Sequence, residues 1–276
     1  MRIGLLVRNE TLKTTRRLGA WVTFLSFAAI VGIIVGENYY TGLKHAERAV
    51  ALPDAWSEVL GNIGPLPAIF GAVALILLIT SEFTWKTARQ NVIDGLSTDE
   101  FFVGKLILYP LVAFSFLGLL LFLTGGVAAL GTDFSTLTST PIRRVDLALI
   151  GGVTLTALGY MALAFLSAFV ARSSGPAMGI FFLYVAFLEQ LAGGLMAKMG
   201  ETATTLAGFL PRQVFDSLFD QRQFDLVARQ ASIDAAVKAG REIPTWHDTR
   251  MLLALAAAWI VTLVALAYWS YRRRDL

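Results

Sequence analysis

Six runs of apolar residues, each long enough to cross about 30 Å of hydrocarbon as a helix, constrain this chain more than any other feature. They read as Trp21–Gly36, Gly64–Thr80, Leu106–Leu130, Leu147–Ala171, Pro176–Ala197 and Met251–Tyr271. The first is short, near the roughly 17-residue lower limit of a span. None alternates apolar and polar residues as the strands of a membrane barrel must, so helices are expected throughout. Composition agrees. Hydrophobic residues make up 56% of the chain and charged ones 16%, against about 25% charged in a soluble domain, too few to cover a water-facing surface. The expected fold class is an all-α integral membrane protein of six transmembrane helices, one domain over residues 1–276.

The same counts exclude several chemistries. A net charge of +3, from 23 basic and 20 acidic residues, is too small for a nucleic-acid footprint. The absence of cysteine removes disulfides, iron–sulfur clusters and thiol chemistry. His45 and His247 lie far apart, so no metal site is expected. Gly104-Lys105 lacks both the upstream glycine and the following hydroxyl of a phosphate loop, so the chain binds no nucleotide by that motif. No filter-like sequence points to a channel, and no pair of interrupted helices marks the halves of a secondary transporter. No catalytic residue and no energy source are expected in this chain.

Charge sets the orientation. With both ends inside, 12 of the 23 basic residues fall on the cytoplasmic side, and 7 of the other 11 lie in one long segment, Lys198–Arg250. Long loops cross a membrane largely regardless of charge. The comparison that counts is therefore 12 against 4, and both termini are expected in the cytoplasm.

Three stretches outside the spans carry information. Residues 1–19 have apolar Ile3, Leu6, Val7 and Leu12 among five basic residues, the pattern of a helix lying on the membrane face among anionic headgroups. Polar Arg8 to Arg17 precedes any apolar core, unlike a cleavable leader. Residues 80–105 exceed what a tight loop needs. They predict a helix-turn-helix whose first helix ends at Gly95 and whose second starts at Ser97 with a Ser97–Glu100 capping box. Its mixture of apolar and charged residues, Glu82, Trp85, Arg89, Val92, Asp94, Ser97 and Glu100, suits docking on a partner or resting on lipid. Residues 198–250 hold two amphipathic pieces, one from Leu210-Pro211 through Val214, Phe215, Leu218 and Phe219, the other Ala228–Ala239. Both are expected to dip into the outer interface or to cap the bundle.

Inside the membrane, Glu189 and Gln190 sit in the outer part of span 5, with Tyr184 one and a half turns away, only roughly on their face. An intramembrane carboxylate costs a few kcal/mol unless it faces protein or water. It marks either a pathway or a polar contact joining helices. Small residues four apart, Gly32 with Gly36 and Gly175 with Gly179, favour close helix packing. Pro110 is expected to kink span 3, whereas Pro65, Pro67 and Pro176 suit first turns.

These features together resemble the membrane (permease) subunits of ATP-binding-cassette transporters of the type-2 exporter family, over the whole chain. The resemblance is carried by Ser81-Glu82-Phe83-Thr84-Trp85-Lys86-Thr87-Ala88-Arg89-Gln90, by Leu96-Ser97 and Gly104-Lys105, by the opening Asn9-Glu10-Thr-Leu-Lys13 with Arg16-Arg17, and by the ending Tyr271-Arg-Arg-Arg-Asp-Leu276. Lys86 stands where glycine is usual, and Thr98 where arginine is usual. The resemblance implies a connecting helix at 1–19 and a coupling element at 80–105 that docks on a cytoplasmic ATPase. It implies a working unit of two permeases, the same or related chains, with two ATPases that bind ATP and Mg, in a bacterial inner membrane. Spans 1 and 5, with Gly32, Gly36, Gly175 and Gly179, would line the permease–permease interface, and Glu189, Gln190 and Tyr184 a substrate pathway. Two other readings of the residues compete: a proton-coupled carrier using Glu189, and a non-transporting immunity or scaffold protein.

Overall fold

The apolar runs become helices, and the polar or proline-containing stretches between them become caps and turns. The computed structural model describes residues 3–44, 51–85, 87, 90, 97–135, 140–220, 224–239 and 248–273. Among them every regular element is helical, and six helices are long and apolar enough to cross a membrane. In chain order they are α1 (Ile3–Thr15), α2 (Leu18–Lys44), α3 (Asp54–Ile63), α4 (Leu66–Thr84), α5 (Thr98–Leu130), α6 (Arg144–Ala171), α7 (Ser174–Leu183), a π turn (Tyr184–Leu188), α8 (Glu189–Lys198), α9 (Glu201–Ala207), α10 (Pro211–Phe219), α11 (Leu226–Lys238) and α12 (Thr249–Arg272). Spans 1 to 4 are α2, α4, α5 and α6. Span 5 runs through α7, the π turn and α8, and span 6 is α12.

Two expected boundaries move. Span 1 is not short: its apolar stretch extends over Leu18–Gly42, because Glu37-Asn38 interrupts the apolar run without breaking the helix. The second half of the expected helix-turn-helix is not a separate helix but the first turns of span 3. The Ser97–Glu100 capping box that predicted its start is formed, with Ser97 N–H donating to Glu100 Oε2 (3.0 Å) and Glu100 N–H to Ser97 Oγ (3.1 Å). From there α5 runs unbroken through Pro110 to Leu130. The expected helix end at Gly95 lies outside the described residues.

Burial orders the spans. Span 4 is the centre, with 72% of its most apolar window buried, and span 5 the periphery, with 11%. Span 4 packs on span 2, span 6, α7 and α10. Its contact with span 2 depends on Gly71, where a side chain would meet the Met161 sulfur at 2.8 Å. One end of the bundle carries α1 and the turn from span 2 to span 3, and is called basal below; the opposite, distal end carries α3 and α10. Distally, Arg143 donates to Asp54 (2.8 Å) and to the buried Asp146 (3.0 Å), tying α3 to the first turn of span 4. The hydrogen bond that Arg143 donates to Asp146 raises the Arg143 pKa above its ordinary value.

The amphipathic piece expected at Leu210–Phe219 is α10, and its apolar face is seated on span 4. Val214, Phe215 and Leu218 are fully buried. The seat is a small-residue face on span 4 with helical spacing: Gly152, Thr156, Gly159 and Tyr160. A methyl group at Gly152 would lie 2.2 Å from the Leu218 carbonyl oxygen, and one at Gly159 about 2.4 Å from the Phe215 ring. Thr156 Oγ1 donates to the Phe215 carbonyl (2.8 Å) and Tyr160 Oη to Asp216 (2.5 Å). Because backbone cannot step aside as a side chain can, Gly152→Ala should destabilise the protein by about 1–3 kcal/mol. Its neighbour Gly151 faces open space, so Gly151→Ala should be neutral or stabilising by up to about 1 kcal/mol from helix propensity. Thermal unfolding of the two variants in detergent checks the pair; equal midpoints would remove the seat from the account.

Candidate functional site

The basal end is built around one buried lysine. Lys105, in the second turn of α5, is fully buried, and its Nζ donates to Glu10 Oε2 at 2.5 Å and to Glu82 Oε1 at 2.8 Å. Glu10 comes from α1 and Glu82 from the end of α4, so a single ammonium joins three elements distant in sequence. Gly104 faces α1 as well, and a side chain there would make ordinary contact with Glu10 at 3.6 Å. Two more cations complete the cluster. Arg17 donates to Glu82 Oε1 (3.1 Å) and to the Leu78 carbonyl (2.5 Å), with Ser81 Oγ as a third partner. Lys13 lies 3.5 Å from Glu10 and 3.8 Å from Glu82. Arg17 thus sits near the C-terminal end of α4, where a cation meets the favourable end of the helix dipole. All three cations converge on one oxygen of Glu82. The other, Oε2, is buried without a hydrogen-bond partner among the described residues.

Beside this cluster an aromatic group closes the base. Tyr271 stacks on Phe101 and Phe102 at the start of span 3. Arg172 follows span 4 with left-handed backbone, φ 53°. Its guanidinium lies over Phe83 (5.3 Å) and Tyr271 (5.9 Å) and donates to the Tyr271 carbonyl (3.2 Å). Tyr268 Oη donates to Asp99 (3.0 Å), and Arg272 donates to Tyr268 Oη (3.0 Å). The ends of spans 2, 4 and 6 and the beginning of span 3 are therefore fastened together.

The seven residues expected at a partner contact are distributed unevenly. Trp85 is 67% exposed, at the end of α4, with the Arg17 guanidinium 5.7 Å from its ring. Ser97 and Glu100 cap α5 at the surface. Glu82 is turned inward and buried. Arg89, Val92 and Asp94 lie outside the described residues.

The second polar cluster is distal. Glu189 is 3% exposed, and its carboxylate accepts the Tyr184 hydroxyl, the Arg212 N–H (2.8 Å) and the Gln213 N–H (3.2 Å). Gln190 completes the group: its amide donates to the Ala186 carbonyl (3.0 Å) and accepts from Arg212 Nη1 (3.1 Å). Arg212 also bonds Asp216 (3.1 Å), the acceptor of Tyr160. Tyr184, Glu189 and Gln190 are brought together, and the π turn is why: its i to i+5 bonding places residues five apart on one face. α-Helical spacing separates them, and no composition signal announces such a turn. Among the described residues, no neighbouring group lies within 4 Å of where a side chain would begin at Gly32, Gly36, Gly175 and Gly179, so they make no close contact with another described helix.

A six-span helical bundle with these basal motifs can be set against known families. The family model described as ABC-2 family transporter protein matches residues 6–188, about two-thirds of the chain. The chain belongs to this family. A comparison with curated proteins gives no match. The chain is accordingly a multi-pass ABC transporter permease. The matched stretch takes in every member of the basal cluster, Glu10, Lys13, Arg17, Glu82 and Lys105, and stops one residue before Glu189.

Proposed function

We propose that this permease exports a substrate across a bacterial inner membrane, driven by ATP hydrolysis in a separate cytoplasmic ATPase. The basal end is cytoplasmic in this reading. Residues 80–105 are the surface the ATPase grips, with Trp85, Arg89, Val92, Asp94, Ser97 and Glu100 as its contacts. ATP and Mg are bound by that partner, two copies of which act on two permeases. Spans 1 and 5 form the permease interface, where the open faces of Gly32, Gly36, Gly175 and Gly179 accept the second chain.

One observation carries the coupling part. The segment 85–97 springs from two helix ends, α4 and α5, that are locked to each other and to α1 by Lys105, Glu82 and Glu10. A push on a floppy loop is dissipated, whereas a push on a segment rooted in a buried ionic joint moves whole helices. Glu82 is the root of the joint rather than a contact in this reading. Its partnerless Oε2 leaves room for a further donor when the segment shifts.

Glu189 supports this reading over a proton-coupled carrier. A relay carboxylate needs an exchange partner and a route, whereas the named partners of Glu189 are a neighbouring hydroxyl and two backbone N–H groups of its own chain. Its role here is to cap α10.

The chain has no cysteine, so Trp85→Cys and Val92→Cys each create a unique thiol. Crosslinking in whole cells from either position should trap an ATPase, and the yield should change when a non-hydrolysable ATP analogue is added to membranes. A permease that purifies alone, with no adduct at either position, would remove the ATPase from the account and leave the carrier.

A further inference from the structure

A half-open groove runs up the side of the bundle from the basal end, and nothing in the coupling account uses it. Its volume is about 190 Å³. Trp21 and Phe24 of span 1, Leu78 of span 2, and Leu111 and Phe116 of span 3 form its walls, and Thr15 marks its basal mouth. The walls offer almost no polar group to an occupant. The hydroxyls of Thr14, Thr15 and Ser115 are spent on the carbonyls of Glu10, Leu12 and Leu111. What fills such a groove is hydrocarbon.

The mouth is different. Trp21 Nε1 donates to the Thr15 carbonyl (2.7 Å) with the indole 44% exposed, the arrangement of an aromatic anchored at headgroup level. Next to Thr15 stands Arg16, exposed and without a hydrogen-bond or ion-pair partner among the described residues. Its neighbour Arg17 is fully engaged with Leu78, Ser81 and Glu82. The adjoining cluster adds positive potential, since Lys13, Arg17 and Lys105 outnumber Glu10 and Glu82 by one charge. An apolar slot whose lining residue Thr15 is followed directly in the chain by an exposed arginine matches the two ends of one kind of molecule, a phospholipid with an anionic headgroup.

We infer that this groove is a binding site for one anionic phospholipid of the leaflet that α1 faces, with an acyl chain lying between Trp21, Leu111 and Phe116 and the phosphate held at Arg16. The site differs from the general attraction of a basic helix to an acidic membrane, because it assigns the charge preference to one arginine. Arg8, also exposed and without a partner among the described residues, lies two turns back on α1 from Thr15, whereas Arg16 follows that lining residue directly.

The test is native mass spectrometry of the full chain in detergent, titrated with dioleoylphosphatidylglycerol or dioleoylphosphatidylcholine. The wild type should bind a first phosphatidylglycerol roughly fivefold more tightly than phosphatidylcholine, which is what one basic residue near the headgroup supplies. Arg16→Gln should abolish the preference while phosphatidylcholine binding stays unchanged. Arg8→Gln should leave the preference intact. Ser115→Phe, an exposed groove position, should weaken both lipids alike. Equal binding of the two lipids by the wild type would overturn the inference. So would equal losses in Arg8→Gln and Arg16→Gln, which reports diffuse surface charge, or an unaffected Ser115→Phe variant, which places the chain elsewhere.

Discussion

Lys105→Met should destabilise the permease by about 3–5 kcal/mol, the cost of taking from two buried carboxylates the one fully buried cation that joins them. In a protein of this size that corresponds to a fall in the unfolding midpoint on the order of 10 °C. The size of the effect follows from burial: Lys105 is fully enclosed, and Glu82 and Glu10 are nearly so, so water cannot take over the charge that is left behind. Compare Arg272 and Asp99, which pair at 3.6 Å with both side chains more than half exposed; Arg272→Met should move the midpoint by little, since water screens such a pair. A second variant separates stability from coupling. Replacing Glu10→Gln together with Lys105→Met removes one carboxylate with the lysine and leaves Glu82 paired with Arg17, so it should recover most of the midpoint, because a buried ion pair is often matched by neutral packing. If the trio is the joint that transmits the push, the recovered protein should still assemble with its ATPase yet fail to couple hydrolysis to export. Thermal unfolding in detergent reads the first effect, and ATPase activity against transport in vesicles reads the second. A Lys105→Met midpoint within a degree or two of wild type would show that the site is wetter than the structure describes.

How much of this was legible beforehand depends on the range of the interaction that decides each feature. The six spans are a matter of local hydropathy, and all six are present. The Ser97–Glu100 box involves two residues three apart, and both of its hydrogen bonds form. What followed it was misread, since nothing local says that the capped helix continues without a break into span 3. The basal cluster shows the limit more clearly. Asn9–Lys13, Arg17, Glu82 and Gly104-Lys105 were each visible as fragments of a family pattern, but only folding places Glu10 within 2.5 Å of Lys105, 95 residues away. The inward turn of Glu82 is equally invisible in sequence, where a charged residue in a polar segment reads as surface. Distally, Glu189 and Gln190 stood out because charge in an apolar run is expensive. Arg212 and Gln213 did not, because what Glu189 uses is their backbone N–H, which every residue but proline has.

That backbone use leads to the second large effect. Glu189→Ala should cost up to about 2–6 kcal/mol, at most about 1–3 for each part-buried N–H left without an acceptor. The accounting at the start of α10 is complete. Pro211 has no N–H, those of Arg212 and Gln213 go to Glu189, and that of Val214 goes to the Leu210 carbonyl. A helix leaves its first N–H groups for others to satisfy, and here a side chain from span 5 meets the need. Glu189→Gln keeps one acceptor oxygen and should fall between wild type and Glu189→Ala. Hydrogen exchange over residues 211–219 should follow the same order, because releasing the N-terminus of α10 frees the helix that Gly152 and Gly159 seat on span 4. A carrier with Glu189 as its proton relay predicts a different pattern: Gln and Ala variants equally inactive, with α10 protected as in the wild type. Unchanged exchange in Glu189→Ala together with lost transport would transfer Glu189 from the architecture to the pathway. The expected gradation across the three side chains would make it the fastening by which span 5 and α10 move as one piece.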